Sequence, residues 1–135
     1  MSFFSLEEMR GKNGDAYPAE WVTSRWPILR DVLNAIRLQW RDTIVIVSGY
    51  RSPAYNDALR AKGKKAAKNS QHMHGRAADI RPAGARNTPD EVYRLHQMIL
   101  AMSEAGKLPA LHGLGKYPRW VHVDTRESNR LHRWG

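Results

Sequence analysis

Apolar side chains at Ile28, Leu29, Val32, Leu33 and Ile36 recur at three- and four-residue spacing, the period of a helix that buries one face. Pro27 suits a first helical turn, where its missing N–H costs nothing, so the helix is predicted from about Pro27 to Gln39. The next apolar run, "TIVIV" over Thr43–Val47, is short and β-branched and predicts a buried strand. "SGYRSP" follows, and Ser52 before Pro53 is a helix start, giving a helix over Pro53–Ala61. A basic loop then runs to Asn69, and "GRAADI" predicts a short strand. In "NTPDE", Thr88 is an N-cap, Pro89 the first helical residue and Glu91 the far side of a capping box; this helix is expected to reach about Ala105 and stop at Gly106. "SLEE" at Ser5–Glu8 also fits a capping box and a short helix, and "YPAEW" opens a second helical piece. "LHGLG" and "RWVHVDT" read as two late strands joined through a turn at Tyr117–Pro118. The pattern predicts an α+β fold, a small and mainly antiparallel sheet with flanking helices, in a single domain over residues 1–135.

Composition narrows the partners more than the fold. With 41% hydrophobic and 26% charged residues the chain is globular rather than disordered. No apolar run approaches the ~20 residues of a membrane span. The opening "MSFFSLEEMR" lacks a basic n-region and a long apolar h-region, so no secretory signal is expected. The net charge of +9 favours an anionic partner such as nucleic acid, anionic lipid or an acidic cell-wall polymer. Arg60, Lys62, Lys64, Lys65 and Lys68 crowd one stretch, which by itself reads as a solvated loop. The chain has no cysteine, which excludes disulfides and thiolate metal sites. Any metal must be held by His, Asp or Glu.

Candidate chemistry gathers in two places. In "RWVHVDT", strand alternation sends Val121 and Val123 to the core, and Trp120, His122 and Asp124 together to the other face. In "SQHMHGRAAD", His72 and Asp79 stand seven apart with Gly75 between them. A turn at the glycine followed by a strand can bring both side chains to one point, and Ala77 on the Asp79 face leaves room beside them. With His122 they make two neutral imidazoles and one carboxylate, a three-ligand set of the catalytic zinc type with a position left open for water. Spacing alone does not make that triad unique, and each histidine separately also reads as a surface or hydrogen-bonded residue.

"SQHMHGRAAD" also resembles the S-x-H-x-x-G-x-A-x-D signature of the zinc D-Ala-D-Ala carboxypeptidases and phage L-alanyl-D-glutamate endopeptidases, metallopeptidase family fifteen, with the hedgehog/DD-peptidase fold. "SGYRSPAYN" at Ser48–Asn56 is similar to that family's SGYRS segment, and "GLGKYPRWVHVDTR", "FSLEEMR" and "RWG" are similar to its short branch, often found in phage and prophage genes. The resemblance implies one zinc ion on His72, Asp79 and His122. It implies that Arg51 holds substrate or stabilises transition-state charge, a role that suits its place between a strand and a helix start. Ser70 and His74 are expected beside the ligands or in the turn, Gly75 as structural.

The chain departs from the family at the general base. Better-known members carry Glu three residues before the last zinc histidine or His two before it; here those positions hold Arg119 and Trp120. Asp124 is the first substitute, as base or as a carboxylate orienting His122. His112 and His74 are further candidates, and Tyr117 is a candidate donor to the scissile carbonyl. The expectation is a monomeric zinc peptidase acting on peptidoglycan stem peptides, of D-Ala-D-Ala carboxypeptidase or L-Ala-D-Glu endopeptidase type. A prophage lysis role fits, with the enzyme made in the cytoplasm and reaching the wall by holin-type release or in the virion. The alternatives are a non-catalytic metal-containing wall-binding module on the same fold, and a nucleic-acid-binding protein. The latter is disfavoured because it leaves the His/Asp constellation unexplained.

Overall fold

A computed structural model describes residues 2–64 and 66–135, so Lys65 of the basic stretch lies outside the described residues. Two short 3-10 turns, Leu6–Met9 and Ala19–Trp21, precede helix α1 (Trp26–Trp40). Strand β1 (Ile44–Ser48), helix α2 (Pro53–Ala61), a 3-10 turn (Gln71–His74) and strand β2 (Ala77–Pro82) follow. A further 3-10 turn (Gly84–Arg86) leads into helix α3 (Pro89–Glu104), and strands β3 (Gly113–Lys116), β4 (Val121–Asp124) and β5 (His132–Trp134) complete the chain. The five strands form one sheet in the order β1-β2-β4-β3-β5. All pairings are antiparallel except β3 with β5. The α+β class with a mainly antiparallel sheet is as expected.

Local chemistry accounts for most of these elements. Ser52 Oγ accepts the Tyr55 N–H at 3.2 Å, and Thr88 Oγ1 accepts the Glu91 N–H at 3.2 Å, so both helix starts are capped. The Glu8 carboxylate accepts the Ser5 N–H at 2.8 Å, but the piece it starts is a 3-10 turn only. On α1 the buried stripe is Trp26, Leu29, Val32, Leu33, Ile36 and Trp40. Ile28, counted in the apolar pattern, is instead 48% exposed, because its position lies about 100° around the helix from Leu29.

The sheet has two different faces. Ile44, Ala78, Ile80, Leu114, Val121 and Val123 are buried in the hydrophobic core, where α3 packs on β2, β3 and β4. Burying each large apolar side chain there contributes about 1.5–3 kcal/mol. By alternation the opposite face carries Asp79, His122 and Asp124. Strand β5 is the element the apolar pattern does not announce. "HRW" has no β-branched residue and no alternation, and it forms because β3 offers a free parallel edge.

Candidate metal centre

The β2–β4 register sets Asp79 directly opposite His122. His72 arrives from the 3-10 turn before β2. Ser70 Oγ accepts the His72 N–H at 3.2 Å and starts that turn. Gly75 ends it in the left-handed region at φ 67°, where the Tyr17 hydroxyl donates to its carbonyl at 2.7 Å. The reversal points His72 back at β2. His72 Nε2 lies 3.2 Å, and His122 Nδ1 3.0 Å, from the same oxygen, Asp79 Oδ1. One ligand atom from each of the three residues falls within 4.8 Å of the others.

The remaining ring nitrogens decide what these imidazoles offer. His72 Nδ1 is 2.7 Å from the Gly49 carbonyl oxygen, which only accepts, so Nδ1 carries the proton and Nε2 turns a lone pair to the centre. His122 Nε2 is 2.8 Å from Asp124 Oδ2 and donates to it, which leaves Nδ1 as the inward lone pair. Two oriented lone pairs and a carboxylate oxygen converge, so the residues present fit a metal ion. Burial lowers the His72 pKa. Burial also lowers that of His122, but hydrogen bonds to Asp124 and Asp79 overcome it and hold this ring above the ordinary imidazole value. Burial raises Asp79, and the two imidazoles beside it more than offset that, keeping it a carboxylate.

Asp124 is 0% exposed and fully engaged. Arg126 grips it with Nε to Oδ1 at 2.9 Å and Nη2 to Oδ2 at 2.8 Å, and the Arg126 N–H reaches Oδ1 at 3.2 Å. Burial raises its pKa, and the Arg126 and His122 hydrogen bonds reverse that and push it well below the usual carboxylate range. Gly113, paired with Asp124 across β3–β4, makes this possible, since a Cβ at that position would overlap the carboxylate. His112 does not touch the ligands; its Nδ1 lies 2.8 Å from the Arg126 carbonyl, one step further out. His74 ends the 3-10 turn, and its Nε2 bonds Asn69 Oδ1 at 2.9 Å rather than a member of the triad.

An open cleft lies over the triad. Arg51, whose side chain is 12% exposed, borders it and reaches Asp79 Oδ2 at 3.4 Å while Nε holds Ser48 Oγ at 3.2 Å. Ser70 also lines the cleft. The far wall is aromatic. Tyr117 stacks on Trp120 at 4.9 Å and 17°, and Trp134 Nε1 donates to the Tyr117 hydroxyl at 2.9 Å with its ring 5.0 Å from His122. Gly115, opposite His122, clears the space the Trp134 indole fills. Trp120 lines the cleft from just before β4, whereas Arg119 borders a separate depression beside Thr88 and Val92. Sequence reasoning missed Arg126 and Trp134 as site residues. Their signals were the "DTR" step after Asp124 and the closing "RWG".

The sheet of this α+β fold thus carries a buried, pre-oriented His–Asp–His set beneath an open cleft, an arrangement that fits a metal ion. The profile described as "Peptidoglycan L,D-endopeptidase MepK", a branch of metallopeptidase family fifteen, matches residues 26–131, and the chain belongs to this family. Peptidoglycan L,D-endopeptidase MepK of Escherichia coli is 34% identical over 113 residues, covering 81% of this chain and 56% of that protein. A probable peptidoglycan L,D-endopeptidase MepK of Haemophilus influenzae is 36% identical over 84 residues, 61% of this chain and 39% of that protein. The chain thus spans about half the length, or less, of the curated relatives it matches. A crystal structure of the Serratia marcescens L-Ala D-Glu endopeptidase ChiX aligns with a TM-score of 0.49 at 24% identity, over 77% of this chain and 88% of that one. The family read from the motifs is the family found.

Proposed function

We propose that this chain is a zinc-dependent endopeptidase of peptidoglycan stem peptides, cutting an amide between an L- and a D-configured centre. The observation that carries this reading is the convergence of His72 Nε2, Asp79 and His122 Nδ1 under an open cleft, with both outward nitrogens already engaged. The relatives' names favour the endopeptidase over the carboxypeptidase expectation. Zinc is the metal that two imidazoles and one carboxylate suit, and it supplies Lewis-acid activation of a carbonyl and of an attacking water.

The protein's own groups divide the rest. Arg51, fixed by Ser48 and Asp79, presents its guanidinium to a substrate carboxylate or to the oxyanion. Asp124 acts as the positioning carboxylate for His122, not as the base, because both its oxygens are taken up by Arg126 and His122 and it is buried away from the cleft. Tyr117, whose hydroxyl accepts from Trp134, places its own O–H to donate to the scissile carbonyl. Ser70 shapes the turn that aims His72. The enzyme works as a monomer, in a prophage lysis role with holin-type release to the wall. No helix among the described residues is long and apolar enough to cross a membrane.

One observation favours a second reading, the non-catalytic wall-binding module. Among the described residues lining the cleft, Asp79 is the only carboxylate, so no acidic side chain there is free to act as base. Purified sacculi incubated with the zinc-loaded chain, with and without chelator, separate the two. Chelator-sensitive release of peptide fragments, with masses reporting an L,D cut, is expected. Zinc bound stoichiometrically without release would establish the binding module instead.

A further inference from the structure

Beside the cleft over the triad lies a second, wider depression, and the two share Arg51 and Trp120 as a common rim. Its volume is about 500 Å³ against about 200 Å³ over the metal centre, room for a branch of the substrate rather than a single group. Among the described residues its lining contributes three cations, Lys12, Arg51 and Lys64, and no carboxylate, against a partly apolar wall that includes Tyr55 and Leu59. Neither lysine forms an ion pair with any described residue.

Both lysines stand on determined backbone rather than on loose loops. Helix α2 ends in a Schellman closure: Gly63 lies at φ 74°, its N–H reaches the Arg60 carbonyl at 3.0 Å, and the Lys64 N–H reaches the Leu59 carbonyl at 3.0 Å. Lys12 sits in a closed turn made by Gly11 N–H to Asp15 O at 2.8 Å and Gly14 N–H to Gly11 O at 2.9 Å. That turn is tied to the segment after β1 by the Tyr50 N–H on the Met9 carbonyl at 2.8 Å. Lys12 falls outside the stretch 26–131 that the family profile matches. A cationic concavity with unpaired ammonium groups and aliphatic walls is built for a flexible chain that ends in a carboxylate.

We infer that this depression, with Lys12 and Lys64 at its mouth and Arg51 at its junction with the metal cleft, is a subsite for a side-branch carboxylate of an acidic peptide. This rests on the peptide-substrate reading and sharpens it. Arg51 divides the two clefts, so a peptide whose amide lies over the triad projects its acidic branch past Trp120 toward the lysines. The selected substrates are those whose branch carboxylate is free rather than amidated.

The test uses the full chain depleted of metal, so that binding is read without turnover. Two synthetic stem-peptide fragments serve as probes, identical except that the branch carboxylate is free in one and amidated in the other. Tryptophan fluorescence reports affinity. The free acid is expected to bind about tenfold more tightly at low salt, an advantage that shrinks as ionic strength rises. Lys12→Ala/Lys64→Ala is expected to erase it without changing affinity for the amide, and Lys12→Glu/Lys64→Glu to reverse it. Both side chains are exposed, so unchanged melting curves are expected for these variants. Equal affinity of the wild type for the two peptides, no binding of either, or an acid preference that survives both double variants would overturn the inference. Failure of the zinc-loaded chain to cut peptidoglycan would remove the hydrolase reading while leaving an observed acid preference standing.

Discussion

His72 and His122 both face one carboxylate oxygen, and each has its outer nitrogen held by an acceptor, but the acceptors differ in kind. For His72 it is a main-chain carbonyl, Gly49 O at 2.7 Å, in a segment pressed against Met9. For His122 it is a chain of side chains: Asp124, gripped by Arg126, whose carbonyl is in turn held by His112. The first imidazole inherits its tautomer from the fold and cannot lose it by one side-chain truncation. The second depends on a charged relay that can be dismantled a piece at a time. The centre is therefore rigid on one side and tunable on the other, and substitutions should separate the two.

The largest effect tests whether the two sides converge at all. His72→Ala and His122→Ala each remove a ligand. Both are expected to weaken zinc binding by more than about 100-fold, beyond what loss of a supporting group costs. Competition against a chromophoric chelator measures this, with circular dichroism to establish that the variants fold. Wild-type affinity in either variant would dissolve the triad.

Asp124→Asn breaks only the tunable side. Zinc affinity is expected to fall by about 10–100-fold, since the amide is a poorer acceptor for His122 Nε2–H and leaves Arg126 without its ion pair. Activity at saturating zinc then distinguishes positioning from base catalysis. Recovery to near the wild-type rate fits positioning. A loss of several orders of magnitude that added zinc does not repair would return Asp124 to the role of base. Gly113→Ala attacks the same relay from β3 without touching any charge. Its Cβ would overlap the Asp124 carboxylate, and a loss of about 1–3 kcal/mol of stability is expected together with weaker zinc binding. Thermal melts with and without zinc read both. A variant as stable as wild type with intact zinc affinity would show that the relay has slack.

The same contrast explains what could be read from the chain alone. α1, α2 and α3 were legible because caps and apolar periodicity act within a few residues, as at Ser52, Thr88 and the Leu29–Ile36 stripe. His122 and Asp124 were legible as face-mates because strand alternation is local. What required the fold was pairing between distant elements. β5 is specified by the free edge of β3 and not by its own three residues. Arg126 matters only because its guanidinium folds back on Asp124 two residues away. His74 required the fold too, because proximity in sequence is not proximity in a 3-10 turn. With about three residues per turn, positions two apart diverge by roughly 240°, so His72 turns inward while His74 turns to Asn69.

The smallest effect lies on neither side of the triad but on the aromatic wall above it. Tyr117→Phe removes the acceptor of the Trp134 indole N–H while keeping the ring that stacks on Trp120. A loss of about 0.5–1.5 kcal/mol is expected, the ordinary net worth of one hydrogen bond, with zinc affinity unchanged because the phenol contributes nothing to either imidazole's tautomer. A change in zinc affinity would mean that Trp134, 5.0 Å from His122, helps to hold that ring, and the tunable side would then extend to β5. Turnover provides the complementary reading. If the Tyr117 hydroxyl donates to the scissile carbonyl, kcat falls while zinc affinity stays fixed. If the residue serves packing alone, kcat follows only the small loss of stability.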